Sequence, residues 1–214
     1  MQTRILSINS PYTIPHILSV LEAGGLVAFP TDTVYGVGAL AFNSAAVESI
    51  YTAKGRSIEK AIPVLLGDAK DLDKVASNVS PMALRLASRF WPGPLTLVVP
   101  KNPMLPEAVS ANDTVGVRVP DNAIARTLLR SAGPMAVTSA NISGGDNPTT
   151  SEEVFAQLNG RIGFILDGGR TPGGRPSTVV DCIQREPSII RQGPISLEEI
   201  KSALVQADNS NIML

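Results

Sequence analysis

Apolar residues recur along this chain in two rhythms, short continuous runs and longer stretches with helical spacing. Runs at 26–29, 62–66, 95–99, 115–119, 135–137, 163–166, 178–182 and 188–190 are rich in β-branched residues and bounded by Gly, Pro, Asn, Asp and Ser, which predicts strands. Stretches at 14–23, 45–53, 82–90, 123–131, 152–158 and 197–205 place apolar residues three and four apart, which predicts helices. Local chemistry marks several helix ends. Thr150 with Glu153, and Ser196 with Glu199, have capping-box spacing, Ser80-Pro81 supplies an N-cap and a first-turn proline, and Gly24-Gly25 stops the first helix. Strands and helices alternate in an α/β manner, but several strands follow one another with no helix between them. A twisted mixed sheet flanked by helices therefore fits better than a strict doubly wound sheet. No repeat, low-complexity block or linker interrupts the pattern, so one domain is expected over 1–206, with 207–214 as a flexible C-terminal tail. The glycine-rich stretch 167–176 reads as a surface loop.

Composition removes whole classes of mechanism. The chain has 214 residues, 43% hydrophobic and 17% charged, which is globular rather than disordered. A formal net charge of -1 argues against bulk electrostatic capture of nucleic acid while leaving room for a local basic groove. The N-terminus lacks an apolar signal region and no run reaches the length of a membrane span, so the cytosol is the expected compartment and no membrane partner is expected. One histidine, His16, cannot supply a Ser-His-Asp triad or a multi-histidine zinc site, and it falls on an early amphipathic helix. One cysteine, Cys182, permits no internal disulfide, and its setting in TVVDCI reads as buried strand. Any metal should be a hard ion held by carboxylates and substrate phosphates, with magnesium the natural candidate.

Polar signatures stand out against this background. Lys54-Gly55-Arg56 and Ser139-Ala140-Asn141 each place two side chains at i and i+2, which on an extended segment face the same way. Two cations suit phosphate oxygens, and a hydroxyl with an amide can donate and accept hydrogen bonds, so the two pairs together could hold a polyphosphate. Lys54 and Arg56 also end a helix, where cations complement its dipole, and Lys60 adds a third. The segment Pro30-Thr31-Asp32-Thr33-Val34-Tyr35-Gly36 brings hydroxyls, a carboxylate and a phenol to the end of a strand, as a ligand edge or as a capped turn. Arg118 lies within the β-branched run Val115–Val119, so it faces solvent or, if inward, needs an anion or carboxylate partner. Arg191 repeats that pattern. Glycine pairs at 144–145, 168–169 and 173–174 are turn formers that also permit close approach to a ligand. Neither the Walker nor the dinucleotide-binding glycine pattern is present.

Taken in order, PTDTVYG at 30–36, KGR at 54–56, WPGPLTLV at 91–98, VGVRVP at 115–120, TSANISG at 138–144, STVVD at 177–181 and IIRQG at 189–193 resemble the YrdC/Sua5 family of L-threonylcarbamoyladenylate synthases. The chain is similar to the short form of that family, a single module without an extra C-terminal domain. The resemblance implies a YrdC/RibB-like fold. It further implies formation of L-threonylcarbamoyl-AMP and pyrophosphate from L-threonine, bicarbonate and ATP with Mg2+, the first step of N6-threonylcarbamoyladenosine formation at tRNA position 37. Position by position, it implies catalytic Lys54 and Arg56. It implies ATP contacts at Arg56, Lys60, Thr114, Ser139, Asn141, Asn147 and Arg191, and threonine contacts at Thr33, Arg118, Val137 (through its backbone) and Ser177. A downstream threonylcarbamoyl transferase is the implied recipient, and contact with tRNA or double-stranded RNA belongs to the same expectation. The chain departs from the commonest pattern at Ser57, at Lys60-Ala61 and at Leu65, where many members carry proline, an Asn-Pro pair and, in longer members, histidine. An alternative of another class is an RNA-binding or ribosome-associated protein using the same fold without adenylation. An aromatic fraction of 4% offers few stacking platforms for single strands, which weakens it.

Overall fold

A computed structural model describes residues 2–208. Among them ten strands form one sheet: β1 (Arg4–Ser7), β2 (Val27–Pro30), β3 (Tyr35–Leu40), β4 (Val64–Leu65), β5 (Leu95–Pro100), β6 (Thr114–Arg118), β7 (Met135–Ser139), β8 (Phe164–Asp167), β9 (Thr178–Asp181) and β10 (Ser188–Arg191). Their order is β1-β8-β2-β3-β7-β4-β6-β5-β9-β10. Parallel pairs (β1 with β8, β2 with β8, β4 with β6, β5 with β9) mix with antiparallel ones such as β2 with β3 and β5 with β6, as the expected mixed sheet requires. The helices are α1 (Thr13–Glu22), α2 (Ser44–Lys54), α3 (Pro81–Phe90), α4 (Ala123–Ala132), α5 (Ser151–Leu158) and α6 (Leu197–Asp208). Since α6 runs to Asp208, residues 207 and 208 are helical, and the rest of the expected tail lies outside the described residues.

The predicted caps form. Ser80 Oγ accepts from Ala83 N at 3.2 Å at the start of α3, and Ser196 with Glu199 makes the complete reciprocal box. At α5, Thr150 Oγ1 accepts from Glu153 N, but the Glu153 carboxylate reaches back to Thr149 N at 2.6 Å instead of Thr150 N. Two strands escape the periodicity reading. β1 is a mostly exposed sheet edge with no apolar run, and β3 contains Gly36 and Gly38, which weaken a strand signal. Those glycines are required by packing. A Cβ on Gly36 would come within 2.6 Å of the Val137 side chain, and one on Gly38 within 2.6 Å of the Ala136 carbonyl oxygen.

Strand alternation divides the sheet into two unequally covered faces. Leu95, Leu97 and Val99 of β5, Val115 and Val117 of β6, and Val180 of β9 share one core with residues of α2, α3, α5 and α6. The opposite face carries a smaller core, in which Val27, Phe29, Met135 and Leu166 meet α1 and α4. These two helices cover only part of it. Beyond that smaller core, a cleft of about 410 Å³ opens on the same face, lined by residues of β3, β7, β4, β6, β5 and β9. No helix of the described residues is long and apolar enough to cross a membrane.

Candidate active site

The cleft floor consists of the residues that alternation turns away from the main core. Thr96 and Val98 come from β5, Gly116 and Arg118 from β6, Val137 from β7 and Val179 from β9. Gly116 keeps the floor low, since a Cβ there would lie 3.1 Å from Thr96 Cγ2. The walls come from loops at the strand ends: the turn after β2, the segment following α2, the loop after β7 and the segment from Pro176 to Ser177. A larger hollow of about 740 Å³ lies between α1, α2 and residues 160–164, but it contains none of the signature residues.

Arg118 faces inward. Its residue is 5% exposed, and its guanidinium donates from Nε to Gly93 O at 2.9 Å, from Nη1 to Thr33 Oγ1 at 3.0 Å and from Nη2 to Asp32 Oδ1. The carboxylate that a buried arginine needs is thus the chain's own Asp32. Burial lowers the pKa of Arg118, and Asp32 opposes that shift. Thr33 Oγ1 also lies 3.0 Å from Thr31 Oγ1, which donates to Val34 O at 2.7 Å, so the turn after β2 is locked by its own hydroxyls. Tyr35 OH donates to Gly169 O at 2.8 Å and ties the 167–176 loop to this turn, while Gly174 N donates to Thr33 O at 2.9 Å. Burial pushes the Tyr35 phenol up to about 12, so it remains a donor at neutral pH.

Across the cleft, Arg191 is re-aimed by a bulge. Ile189 pairs with Val180 but Arg191 pairs with Val179, leaving Ile190 as an extra residue. Arg191 Nη2 donates to Ser177 O at 2.9 Å and to Ser177 Oγ at 3.2 Å, and Ser177 Oγ lies 2.8 Å from Thr96 Oγ1. Arg56 is held by two backbone carbonyls, Nε on Lys60 O at 3.2 Å and Nη2 on Ala61 O at 3.0 Å. Among the described residues neither Arg56 nor Arg191 has an acidic partner, and both line the cleft. Burial lowers the pKa of each, and the positive charge of Arg56 lowers that of Arg191 further. Two unneutralised guanidinium groups lining one cleft are chemically suited to a polyanion.

Several expected contacts are placed differently. Lys54 and Arg56 do not share a face as an i and i+2 pair, because Lys54 closes α2 and Gly55 turns the chain through a left-handed conformation with φ of 60°. Lys54 is 2% exposed and absent from the cleft wall. Its ammonium donates all three hydrogens inside the fold, to Ser139 O, Asn141 O and Asn141 Oδ1. Asn141 is likewise turned away from the cleft, its amide donating to Ile142 O and Gly145 O and its oxygen accepting from Ser139 Oγ. Lys54 and Asn141 therefore hold Ser139, which does line the cleft. The side chain of Lys60 is exposed and off the cleft wall, where its carbonyl does the work of orienting Arg56. Because the 60–61 contacts are main-chain, the departures at Lys60 and Ala61 preserve them. Thr114 shares the face of Gly116 and Arg118 but lies beyond the cleft lining. Thr33, Val137, Ser139, Asn147, Ser177, Arg56, Arg118 and Arg191 do converge there, with Leu65 among them. Ser57 is exposed and away from the wall.

Thr31 and Thr96 line the cleft, and Asp32 pairs with Arg118 from outside its wall. From the sequence, Thr31 and Asp32 emerge only collectively, within 30–36, and Thr96 does not. Thr96 was detectable as the polar member of an otherwise apolar strand, opposite in face to Leu95 and Leu97. Cys182 is buried, its thiol pushed up to about 12 by burial and by Asp181, which leaves it inert. His16 is exposed on α1, its ring edge-on to Phe164 at 4.8 Å.

The family model Sua5/YciO/YrdC, described as telomere recombination, matches residues 19–193. The threonylcarbamoyl-AMP synthase of Bacillus subtilis is 41% identical over 93% of this chain and 58% of its own length. The crystal structure of P. abyssi Sua5 complexed with L-threonine superposes with a TM-score of 0.90 at 38% identity, covering 95% of this chain and 61% of that one. The crystal structure of E. coli YciO gives a TM-score of 0.82 at 26% identity, over 93% of this chain and 98% of that one. The chain thus spans little more than half the length of the first two relatives.

Proposed function

From the premise that the chain belongs to the Sua5/YciO/YrdC family, we propose that it is a nucleotidyltransferase that forms L-threonylcarbamoyl-AMP. Its substrates are L-threonine, bicarbonate and ATP. The observation that carries this reading is the pairing of two kinds of arginine in one cleft. Arg56 and Arg191 are unneutralised and suit a triphosphate, whereas Arg118 is already balanced by Asp32 and suits a single carboxylate. P. abyssi Sua5, similar over 95% of this chain, is known in complex with L-threonine.

In this reading the threonine amine combines with bicarbonate, losing water, to give a carbamate. A carbamate oxygen then attacks the α-phosphorus in line, the bond from that phosphorus to the β-phosphate bridging oxygen breaks, and pyrophosphate leaves. Such a displacement depends on positioning and charge stabilisation more than on a protein nucleophile. Arg56 and Arg191 stabilise the charge that builds up on pyrophosphate, and Ser139 and Asn147 add neutral contacts. Thr33 and Ser177 present hydroxyls on the Arg118 side. Magnesium would arrive with ATP and screen its phosphates. The cleft lining holds no carboxylate, and among the described residues no three His, Cys, Asp or Glu side chains cluster. Phosphate oxygens of ATP and hydroxyls of the cleft such as Ser139 would then hold the ion.

The product is an activated carbamoyl donor, suited to a transferase acting on adenosine 37 of tRNA. Pyrophosphate release from ATP should require both L-threonine and bicarbonate, and serine should be poorer by about 1–3 kcal/mol for the missing methyl. Release that is indifferent to the amino acid refutes the proposal.

A further inference from the structure

The Arg118 guanidinium is fixed by groups from two loops, Gly93 O and Thr33 Oγ1 at 2.9 and 3.0 Å, and by Asp32 Oδ1. A guanidinium carries five N–H donors, so these bonds leave one N–H free on each terminal nitrogen. Arg118 and Thr33 line the cleft, while Asp32 stands behind them and outside its wall. The Asp32 side chain is only 11% exposed. Its placement does two things. It sets the plane of the fork, and it cancels the charge of the one cleft arginine that must not bind phosphate. The field of Arg191 reaches Arg118, so without Asp32 the three arginines would form one continuous cationic surface along which a polyphosphate could slip.

We propose that Asp32 is a positioning residue that reserves Arg118 for the amino-acid carboxylate and keeps the triphosphate on Arg56 and Arg191. This inference rests on the reading of the cleft as a threonine and ATP site. Asp32 touches neither substrate in this account and acts only through Arg118.

The test compares Asp32→Ala, Asp32→Asn and Arg118→Lys by steady-state conversion of α-phosphate-labelled ATP to the adenylate, with thermal melts on each variant. For Asp32→Ala the threonine KM should rise by about tenfold or more, as expected when one charge-assisted bond no longer orients the fork, while the ATP KM stays within about twofold. Added pyrophosphate should become competitive with threonine in this variant and not in the wild type. Asp32→Asn keeps an oxygen acceptor for Nη2 and should recover part of the threonine KM, while still admitting pyrophosphate because the charge is gone. A purely structural Asp32 would lower the melting temperature and leave both KM values and the inhibition pattern unchanged, which overturns the proposal. Should Asp32→Ala fail to fold, the Asn variant decides. A threonine KM and an inhibition pattern like the wild type's, alongside a raised KM in Arg118→Lys, overturn the role of Asp32 and spare the cleft reading. Wild-type protein that shows no threonine-dependent conversion overturns the cleft reading itself.

Discussion

Replacing Lys54 separates a phosphate-binding lysine from one that holds the fold of the site. The structure supports the second, because all three ammonium hydrogens are donated to Ser139 and Asn141. Lys54→Met keeps length and removes the cation. Three charge-assisted bonds of about 1.5–3 kcal/mol each are lost, or roughly 4–6 kcal/mol allowing for the long third one. Against this, burial, with a smaller contribution from the positive charge of Arg56, pushes the Lys54 pKa from 10.5 down to about 8. Relief of that penalty returns roughly 3 kcal/mol at about 1.4 kcal/mol per pH unit. The net loss is then about 1–3 kcal/mol, a fall of roughly 3–10 °C in melting temperature. Activity should suffer far more, since a displacement of Ser139 by about 1 Å costs on the order of a hundredfold. Lys54→Arg provides the decisive comparison. A phosphate-facing lysine would tolerate arginine, but a cation 2% exposed in a closed slot has no room for a guanidinium, and overpacking costs about 1–3 kcal/mol. Differential scanning calorimetry beside pyrophosphate release reads both quantities. Near wild-type turnover by Lys54→Arg, with only the ATP KM raised in Lys54→Met, would falsify the scaffold role. The pH dependence adds a second reading. The folded pKa is below the unfolded one, so between about 8 and 10.5 the unfolded chain binds the extra proton and Lys54 contributes stability that rises with pH.

Arg56→Ala and Arg191→Ala should each weaken ATP binding by about tenfold or more in calorimetric titration, with the melting temperature unchanged or raised, since each removal relieves the like-charge pair. Thr178→Val preserves shape but strips a buried hydroxyl that accepts from Gly193 N and Ile195 N at 3.0 Å and donates to Ile195 O at 2.8 Å. Urea unfolding should register a loss of about 3–5 kcal/mol for the three groups left unpaired. Asp68 is held well below the usual carboxylate range by hydrogen bonds from Arg130 and then Arg126. Its contribution is therefore complete above the unfolded carboxylate pKa of about 3.9 and declines as pH falls below that value. Asp68→Asn should flatten the acid limb of a melting-temperature profile between about pH 4 and pH 2.

Most of the fold was legible because its elements announce themselves locally. Six helices and eight strands follow from apolar spacing, with boundaries shifted by at most three residues, and the capping sequences at Ser80 and Ser196 behave as their chemistry dictates. The two unread strands fail for stated reasons, exposure in β1 and glycine in β3. Glycine there answers to Val137 and Ala136, about a hundred residues away, and no local window contains that information. The cleft was legible in its residue types and less so in their directions. For Arg118 the sequence leaves open a solvent-facing side chain or an inward one with a partner. The structure turns it inward, and the partner, Asp32, lies in a motif already noted. Lys54 and Asn141 were misdirected because an i and i+2 pattern fixes a common face only in extended chain, and both segments turn.

The arrangement of helices explains why the chemistry sits where it does. Every strand crossing the cleft buries its alternate residues in the main core under α2, α3, α5 or α6, and the smaller core under α1 and α4 covers only part of the other face. The rest of that face is then free to carry Gly116, Thr96 and Arg118 without loss of the main core. A buried guanidinium would be costly on such a face, and Asp32 is what makes it tolerable. Arg56 and Arg191 need no such partner because they sit at the rim, anchored by backbone carbonyls that orient them without neutralising them. The same sheet face can thus present one compensated and two uncompensated guanidinium groups. Under the proposed function, that difference in compensation, rather than the count of arginines, would let a monoanion and a polyanion bind side by side.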